Sequence, residues 1–565
     1  MRFTDGLLSL CLGAALVSGG FYGFTLYHRM MDEKIRYLYQ QVSSTLVSLQ
    51  KSPQNLSTCM SSTCAQMQNP SAAVLTQVSL ASSKKWVELQ RKNKDAVIQV
   101  YATISEFNWI EPYRTPDYNE ATGSGFFINN RGDFVTNYHV VGHSKNVQIQ
   151  MPTQGQSRYD AVIIGVSPER DLALLALTDD ARQELQQIYG TIPFVTLGDS
   201  DAISRGEEIL ALGYPLGMSH MKGSQGIVSG IERTKLLDNQ LCFQMTAPIN
   251  PGSSGGPCFN EEGQVIGVNF AGIQMAQNVG FVIPINDLKN ALSDLYKVKF
   301  LRKPKLGGVF WPSSYDMSCY LQHPDDGGYY ISRVMKDTLF EKIGIKSGDV
   351  LYQINGHKVD FYGDVTVSWN DEKVAFFDLL NRKTVGDSVD LVVYRQGAKK
   401  NFSFKLEPRS MLPIRLMFPG YEEIDYEVFG GIVFMNLTLN HICIMAEKIP
   451  ALLRYASIDN QYKPAVVVTH VLPSSPAHRL RGTVQPGFIL DEINGQKVAT
   501  LEQLRQSVTK SLDSGFVTMK FEDDLLSVFA LDTIMSDEHR LASIFKYKKS
   551  ALVEMVETGL LSAGA

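Results

Sequence analysis

The stretch Asn250-Pro251-Gly252-Ser253-Ser254-Gly255-Gly256-Pro257 lies between two apolar runs, 242–249 (CFQMTAPI) and 258–270 (CFNEEGQVIGVNF), both of which read as strands. Glycine reaches backbone conformations closed to other residues, at an entropic cost. Three glycines between buried strands therefore describe either a plain turn or a loop whose N–H groups must face a reacting atom beside a serine. From about residue 86 to 285 the same texture continues. Short β-type runs (AVIQVYATI, GSGFFINNRGDFVTNYHVV, DLALLAL, EEILALGYP, VGFVIPI) alternate with turn residues and no long helix intervenes, which predicts an antiparallel barrel or sandwich.

Composition narrows the classes around this centre. A chain of 565 residues exceeds what one core serves, so about three to four domains are expected. Apolar residues make up 44% and charged residues 20%, ordinary for globular protein. The net charge of −5 implies no broad basic face, which argues against a nucleic-acid partner. Seven cysteines show no zinc-type spacing; Cys59 and Cys64 are either a bridge in an oxidising compartment or two thiols in a linker. From Gly6 to Tyr27 there is no charged residue, enough to cross about 30 Å of hydrocarbon as a helix. A cleaved signal peptide is the rival reading, with Ser18-Gly19-Gly20 as small residues for cleavage. Because the apolar run continues past them, an uncleaved anchor over 1–30 is expected. Residues 31–82 then read as a helical stalk, with near-heptad Ile35, Leu38, Val42 and Leu49, running into a Ser/Thr/Gln-rich linker.

An internal repeat occupies the last part of the chain. SGDVLYQINGHKV from Ser347 and PGFILDEINGQKV from Pro486 match in step, and each follows a strand, a turn and a short helix. Two copies of one small α+β module are expected.

A serine is a poor nucleophile unless a base removes its proton and donors meet the oxyanion. Ser254 has a candidate base in His139, a carboxylate to orient it in Asp171, and backbone donors in Gly252, Ser253 and Ser254. The chain order His…Asp…Ser is that of chymotrypsin-type enzymes; the α/β-hydrolase elbow, G-x-S-x-G, fails because Pro257 and a turn follow rather than a helix. His139 with His143 resembles a metal pair, but Val140 stands where a glutamate belongs and no third ligand is evident, so neither metal nor cofactor is expected. The rival function is an inactive barrel serving as chaperone or scaffold.

The motifs GSGFFI, TNYHVV, DLALLAL, GYPLG, GIVSG, NPGSSGGP, GQVIGVNF and VGFVIP resemble, in order, those of the HtrA/Deg serine proteases. The resemblance implies a mainly β chain: a chymotrypsin-like double six-stranded barrel over 83–298, then PDZ-type modules over 303–410 and 415–535, with a helical tail over 536–565 to which no role is assigned. The second module is most similar to the unusual second PDZ domain of plant-type Deg proteases, whereas the N-terminal anchor suits a bacterial, envelope-facing member with its protease domain in the periplasm. The resemblance also implies ATP-independent proteolysis of unfolded or damaged proteins, a trimer-based homo-oligomer, and quality control. It assigns Ser254, His139 and Asp171 as nucleophile, base and orienter. Ser253 stands where the family usually has Asn, which makes it a rival nucleophile on paper. With Pro248 six residues before Ser254, basic side chains are not favoured; a pocket formed by Ile249, Asn269, Phe270 and Ala271 is expected to take modest apolar ones. Leu306-Gly307-Gly308-Val309 and Phe429-Gly430-Gly431-Ile432 resemble loops that capture a peptide carboxylate; two plain glycine turns are the alternative, above all for the second.

Overall fold

The computed structural model describes residues 84–234, 240–272, 279–408, 411–480, 482–510 and 514–563. The expected anchor and stalk lie outside the described residues; among these, no helix is long and apolar enough to cross a membrane.

A helix over 84–93 leads into six strands that close on themselves. They are β1 (Val97–Ser105), β2 (Tyr118–Phe127), β3 (Asp133–Thr136), β4 (Ser144–Gln150), β5 (Arg158–Ser167) and β6 (Leu172–Leu177), in the order β1-β2-β3-β6-β5-β4. Strand β6, LALLAL, is buried throughout, and its period of two sorts it between two cores. Ala173, Leu175 and Leu177 fill this barrel, while Leu172 and Leu174 join the core it shares with the next one.

The second barrel uses β7 (Thr196–Leu197), β8 (Glu208–Gly213), β9 (Lys222–Thr234), β10 (Gln240–Met245), β11 (Pro257–Phe259), β12 (Gln264–Gly272) and β13 (Gly280–Pro284). The order β11-β8-β9-β10-β13-β12 closes through a β11–β12 pairing, and β7 adds to β12 in parallel. The glycine-rich stretch 250–256 lies between β10 and β11, on the side of this barrel facing the first.

The two repeats follow. The first comprises β14 (Gly308–Trp311), β15 (Tyr329–Val334), β16 (Val350–Ile354), β17 (His357–Lys358), the hairpin β18 (Asp364–Val367) with β19 (Asn370–Ala375), then β20 (Ser388–Arg395) and β21 (Ala398–Lys405). The second comprises β22 (Tyr426–Phe429), β23 (Ile432–Asn436), β24 (Val466–Val471), β25 (Ile489–Ile493), β26 (Gln496–Lys497), β27 (Phe516–Phe521) and β28 (Leu526–Ala530). The shared Asn-Gly is the same turn in both: Asn355 and Asn494 (φ 47° and 52°) precede Gly356 and Gly495 (φ 83° and 74°), joining β16 to β17 and β25 to β26. Two successive positive φ values are what a two-residue hairpin requires.

The C-terminal segment is not a separate tail. A helix starts at Leu531, and Leu531 and Ile534 with Leu552, Val553 and Val556 from the helix Ala551–Ala563 complete the core of the second repeat. The first repeat is fastened to the barrels by the bidentate pair Arg382–Asp201 (2.7 and 2.8 Å) and by Arg233–Asp378.

Candidate active site

The short 3-10 turn Pro168–Arg170 ends in Asp171, whose N–H bonds back to Pro168. Asp171 sits in the left-handed region (φ 51°, ψ 43°), which aspartate tolerates better than most residues. This turn aims the carboxylate across at the helix Tyr138–Val141. Oδ1 accepts the His139 N–H at 2.8 Å, and Oδ2 lies 2.7 Å from His139 Nδ1. The Asp171 carbonyl accepts from Tyr138 N (3.2 Å) and Asn137 Nδ2 (2.9 Å), so the aspartate holds both the ring and the backbone that carries it. Burial alone would push the imidazole toward lower pKa; the Asp171 charge and hydrogen bond outweigh it and hold His139 above its ordinary 6.5.

Ser254 is buried at the inner end of its loop. Its Oγ donates to the Phe270 carbonyl at 2.8 Å, and among the described residues it has no hydrogen bond to His139. The Phe270 ring meets the His139 ring edge-on, with centroids 6.1 Å apart. Base and hydroxyl thus share a neighbour.

Among the described residues the Gly252 and Ser254 N–H groups have no acceptor, whereas Ser253 N–H is committed to Asn250 O at 2.9 Å. The expected three-donor oxyanion site therefore reduces to two, because Ser253 closes the turn. Gly252 has φ 92°, and a Cβ there would lie 2.5 Å from the Tyr214 carbonyl, so only glycine fits. Ser124 of β2, missed as a working residue in GSGFFI, clasps this loop to the first barrel. Its Oγ donates to Gly252 O (2.7 Å), its N–H to Ser254 O (2.8 Å), and its Oγ accepts from Tyr214 N (2.8 Å).

The expected pocket residues divide. Ile249 is buried in the core of the second barrel, under Gly280. Asn269 is wholly buried, with Nδ2 donating to Leu212 O (3.0 Å). Both residues also line a small cavity together with Pro248, Asn250 and Ser253. Phe270 borders the site, and the Ala271 side chain lies outside the described residues.

The two expected carboxylate loops differ. Leu306 is buried with its carbonyl on Phe340 N, Gly307 (φ 92°) turns the chain, and Gly308 and Val309 open β14, an edge strand of its sheet. In the second repeat the matching edge is covered. β22 pairs antiparallel along β23, with Phe429 opposite Ile432, and Gly430-Gly431 is the hairpin turn between them. Arg505, on the helix Leu501–Thr509, grips β22 through Glu427 (2.7 Å) and the Tyr426 carbonyl (3.1 Å). The chain's own strand thus occupies the position an added peptide would take, and the reading of Phe429–Ile432 as a peptide-carboxylate loop is corrected.

Two closed barrels with the His139–Asp171 pair beside Ser254 define a chymotrypsin-like architecture, here followed by two repeats. The trypsin-like peptidase domain family matches residues 123–268, and the PDZ domain family matches 420–548. The chain is 31% identical to the serine protease Do-like HtrA of Lactobacillus helveticus, covering 51% of this chain and 69% of that one. It is 28% identical to a probable periplasmic serine endoprotease DegP-like of Marinomonas (70% and 75% covered) and 26% identical to the chloroplastic protease Do-like 2 of Arabidopsis thaliana (77% and 71% covered). The chain belongs to the HtrA family of serine proteases and is a serine endopeptidase.

Proposed function

We propose that Ser254, His139 and Asp171 are its catalytic triad, and that it cleaves unfolded or damaged polypeptides. The observation that carries this is the double grip of Asp171 on His139, at main chain and ring, with Phe270 meeting both the His139 ring and the Ser254 hydroxyl. Rotation of the Ser254 side chain away from Phe270 brings Oγ toward Nε2. His139 then takes the hydroxyl proton as Oγ attacks the scissile carbonyl, while Asp171 steadies the imidazolium. The Gly252 and Ser254 N–H groups receive the oxyanion. His139 returns the proton to the leaving amine, and water repeats the sequence on the acyl-enzyme. A site bordered by Phe270, with Pro248 rather than a carboxylate six residues before Ser254, favours modest apolar side chains.

On this reading 83–298 is the catalytic unit, the module at 303–410 offers the open edge of β14 to an extended peptide, and the module at 415–535 serves assembly. Relatives named as periplasmic support an extracytoplasmic site of action. The uncharged run Gly6–Tyr27 supports a membrane anchor, and family membership supports a trimer-based oligomer. Casein digestion tests the central assignment: Ser254→Ala should lower turnover about 10⁴–10⁶-fold. Equal digestion by both proteins rejects it.

A further inference from the structure

Tyr138, the residue before His139, is 4% exposed, and its ring lies so close over Gly142 that a Cβ there would be 2.4 Å away. One wall of its socket comes from far along the chain. Phe418 and Tyr421, from the start of the second PDZ-type module, meet the Tyr138 ring with centroids at 6.2 and 6.3 Å. Phe418 is 2% exposed and belongs to the hydrophobic core of the first barrel. Phe300 backs both rings at 5.1 and 5.4 Å and is itself fixed to β5, where Leu301 N–H donates to Val166 O.

This wedge is pinned at both ends. Glu422 accepts from Arg302 (2.9 Å), Arg415 (3.0 Å) and the Phe418 N–H (3.0 Å), and Arg302 lies over the Phe300 and Phe418 rings. Met417 exchanges two main-chain bonds with the Asn440 side chain (2.9 and 3.1 Å), on the helix Leu439–Met445 of the second module. An outlying segment of the module with no task would be solvated and polar. This one buries a phenylalanine against the helix of the proposed general base.

We propose that residues 414–422 are a positioning strut for His139: Phe418 and Tyr421 fix Tyr138, which fixes the helix Tyr138–Val141, and so turnover rather than substrate affinity depends on them. The second module, through Asn440, holds the strut in place. The inference rests on His139 as general base, as proposed above. Its own content is that a non-catalytic segment at the start of the second module sets the aim of the imidazole.

The test uses the full chain and the variants Phe418→Ala, Phe418→Leu, Tyr421→Ala and His139→Ala. Three quantities are measured: kcat and KM on labelled casein, the rate of labelling by a fluorophosphonate, and the pH profile of kcat/KM. Phe418→Ala should lower kcat and the labelling rate together by about ten- to a hundredfold, the size expected for a misaimed catalytic group, with KM within about twofold. Its acid limb should move to lower pH as the imidazole loses its grip on Asp171. Phe418→Leu should restore most of the rate. If Phe418→Ala does not fold, the half-buried Tyr421→Ala carries the same expectation. Unchanged kcat in the variants that fold, or a raised KM at unchanged kcat, overturns the strut while an inactive His139→Ala leaves the triad standing. An active His139→Ala instead overturns the triad.

Discussion

Ser254 Oγ donates to the Phe270 carbonyl at 2.8 Å, although the His139–Asp171 pair beside it is fully formed. A carbonyl is no base, so this bond leaves the hydroxyl unactivated, with the His139–Asp171 pair formed but not bonded to it. A peptide boronate, which forms a tetrahedral adduct on an active serine, should break the bond. A structure of the adduct is expected to show Oγ within hydrogen-bond reach of His139 Nε2 and a boronate oxygen between Gly252 N and Ser254 N. An adduct on Ser253 would contradict this.

Asp171 sets both the tautomer and the basicity of His139. A general base works only when neutral, so kcat/KM should rise with pH through a midpoint above 6.5, since Asp171 holds the imidazole above that value. Asp171→Asn removes the charge that raises it. The midpoint should move to lower pH, and kcat should fall about 10⁴-fold. The pH profiles of the two proteins check both statements.

Gly252 has no room for a side chain. At φ 92°, with the Tyr214 carbonyl 2.5 Å from a Cβ, Gly252→Ala must rotate the peptide that aims the first oxyanion donor. Loss of one such donor costs about 10²–10³-fold in kcat. KM should change far less, and circular dichroism should show the fold retained.

The loop between β1 and β2 docks on the second module. Trp109 packs with Ile414, Met435, Leu437 and Ile442, and meets the His441 ring edge-on at 5.2 Å. His441 Nδ1 accepts from Thr438 N (3.1 Å), and Nε2 faces the Met435 sulfur. Burial pushes this imidazole down to about 3 from its ordinary 6.5. The folded pKa is depressed, so the site is neutral in both states above about 6.5. Below that the unfolded state gains a proton that the docked state refuses, which costs about 1.4 kcal/mol per pH unit. Hydrogen exchange over 106–117, corrected for intrinsic rate, should therefore increase between pH 7.5 and 5. In His441→Gln the increase should be smaller, the remainder coming from His470 beside Glu111.

The barrels and the two modules are legible because their signals are local and repeated: alternating strands, LALLAL buried on both faces, and Asn-Gly turns at matching places in two repeats. What stayed hidden depends on contacts distant in sequence. IRLMFPGYEE, 414–423, reads only as the start of the second module, and the fold alone brings Phe418 to Tyr138. The FGGI turn looks like a carboxylate loop until β22 is seen pairing along β23. The segment 536–565 carries no legible role because its apolar face, which includes Val553 and Val556, has meaning only against the second module's core. Ser124 stands within GSGFFI, yet nothing in its sequence neighbours announces a clasp on Gly252.

Fluorophosphonate labelling followed by peptide mapping tests the central claim most directly, because the reagent needs an activated serine but no particular substrate. Wild type should carry the label on Ser254 alone, with labelling suppressed by several orders of magnitude in His139→Ala, on the order of 10⁴-fold or more. Label on Ser253, or equal labelling of Ser254 in the presence and absence of the His139 imidazole, would contradict the account.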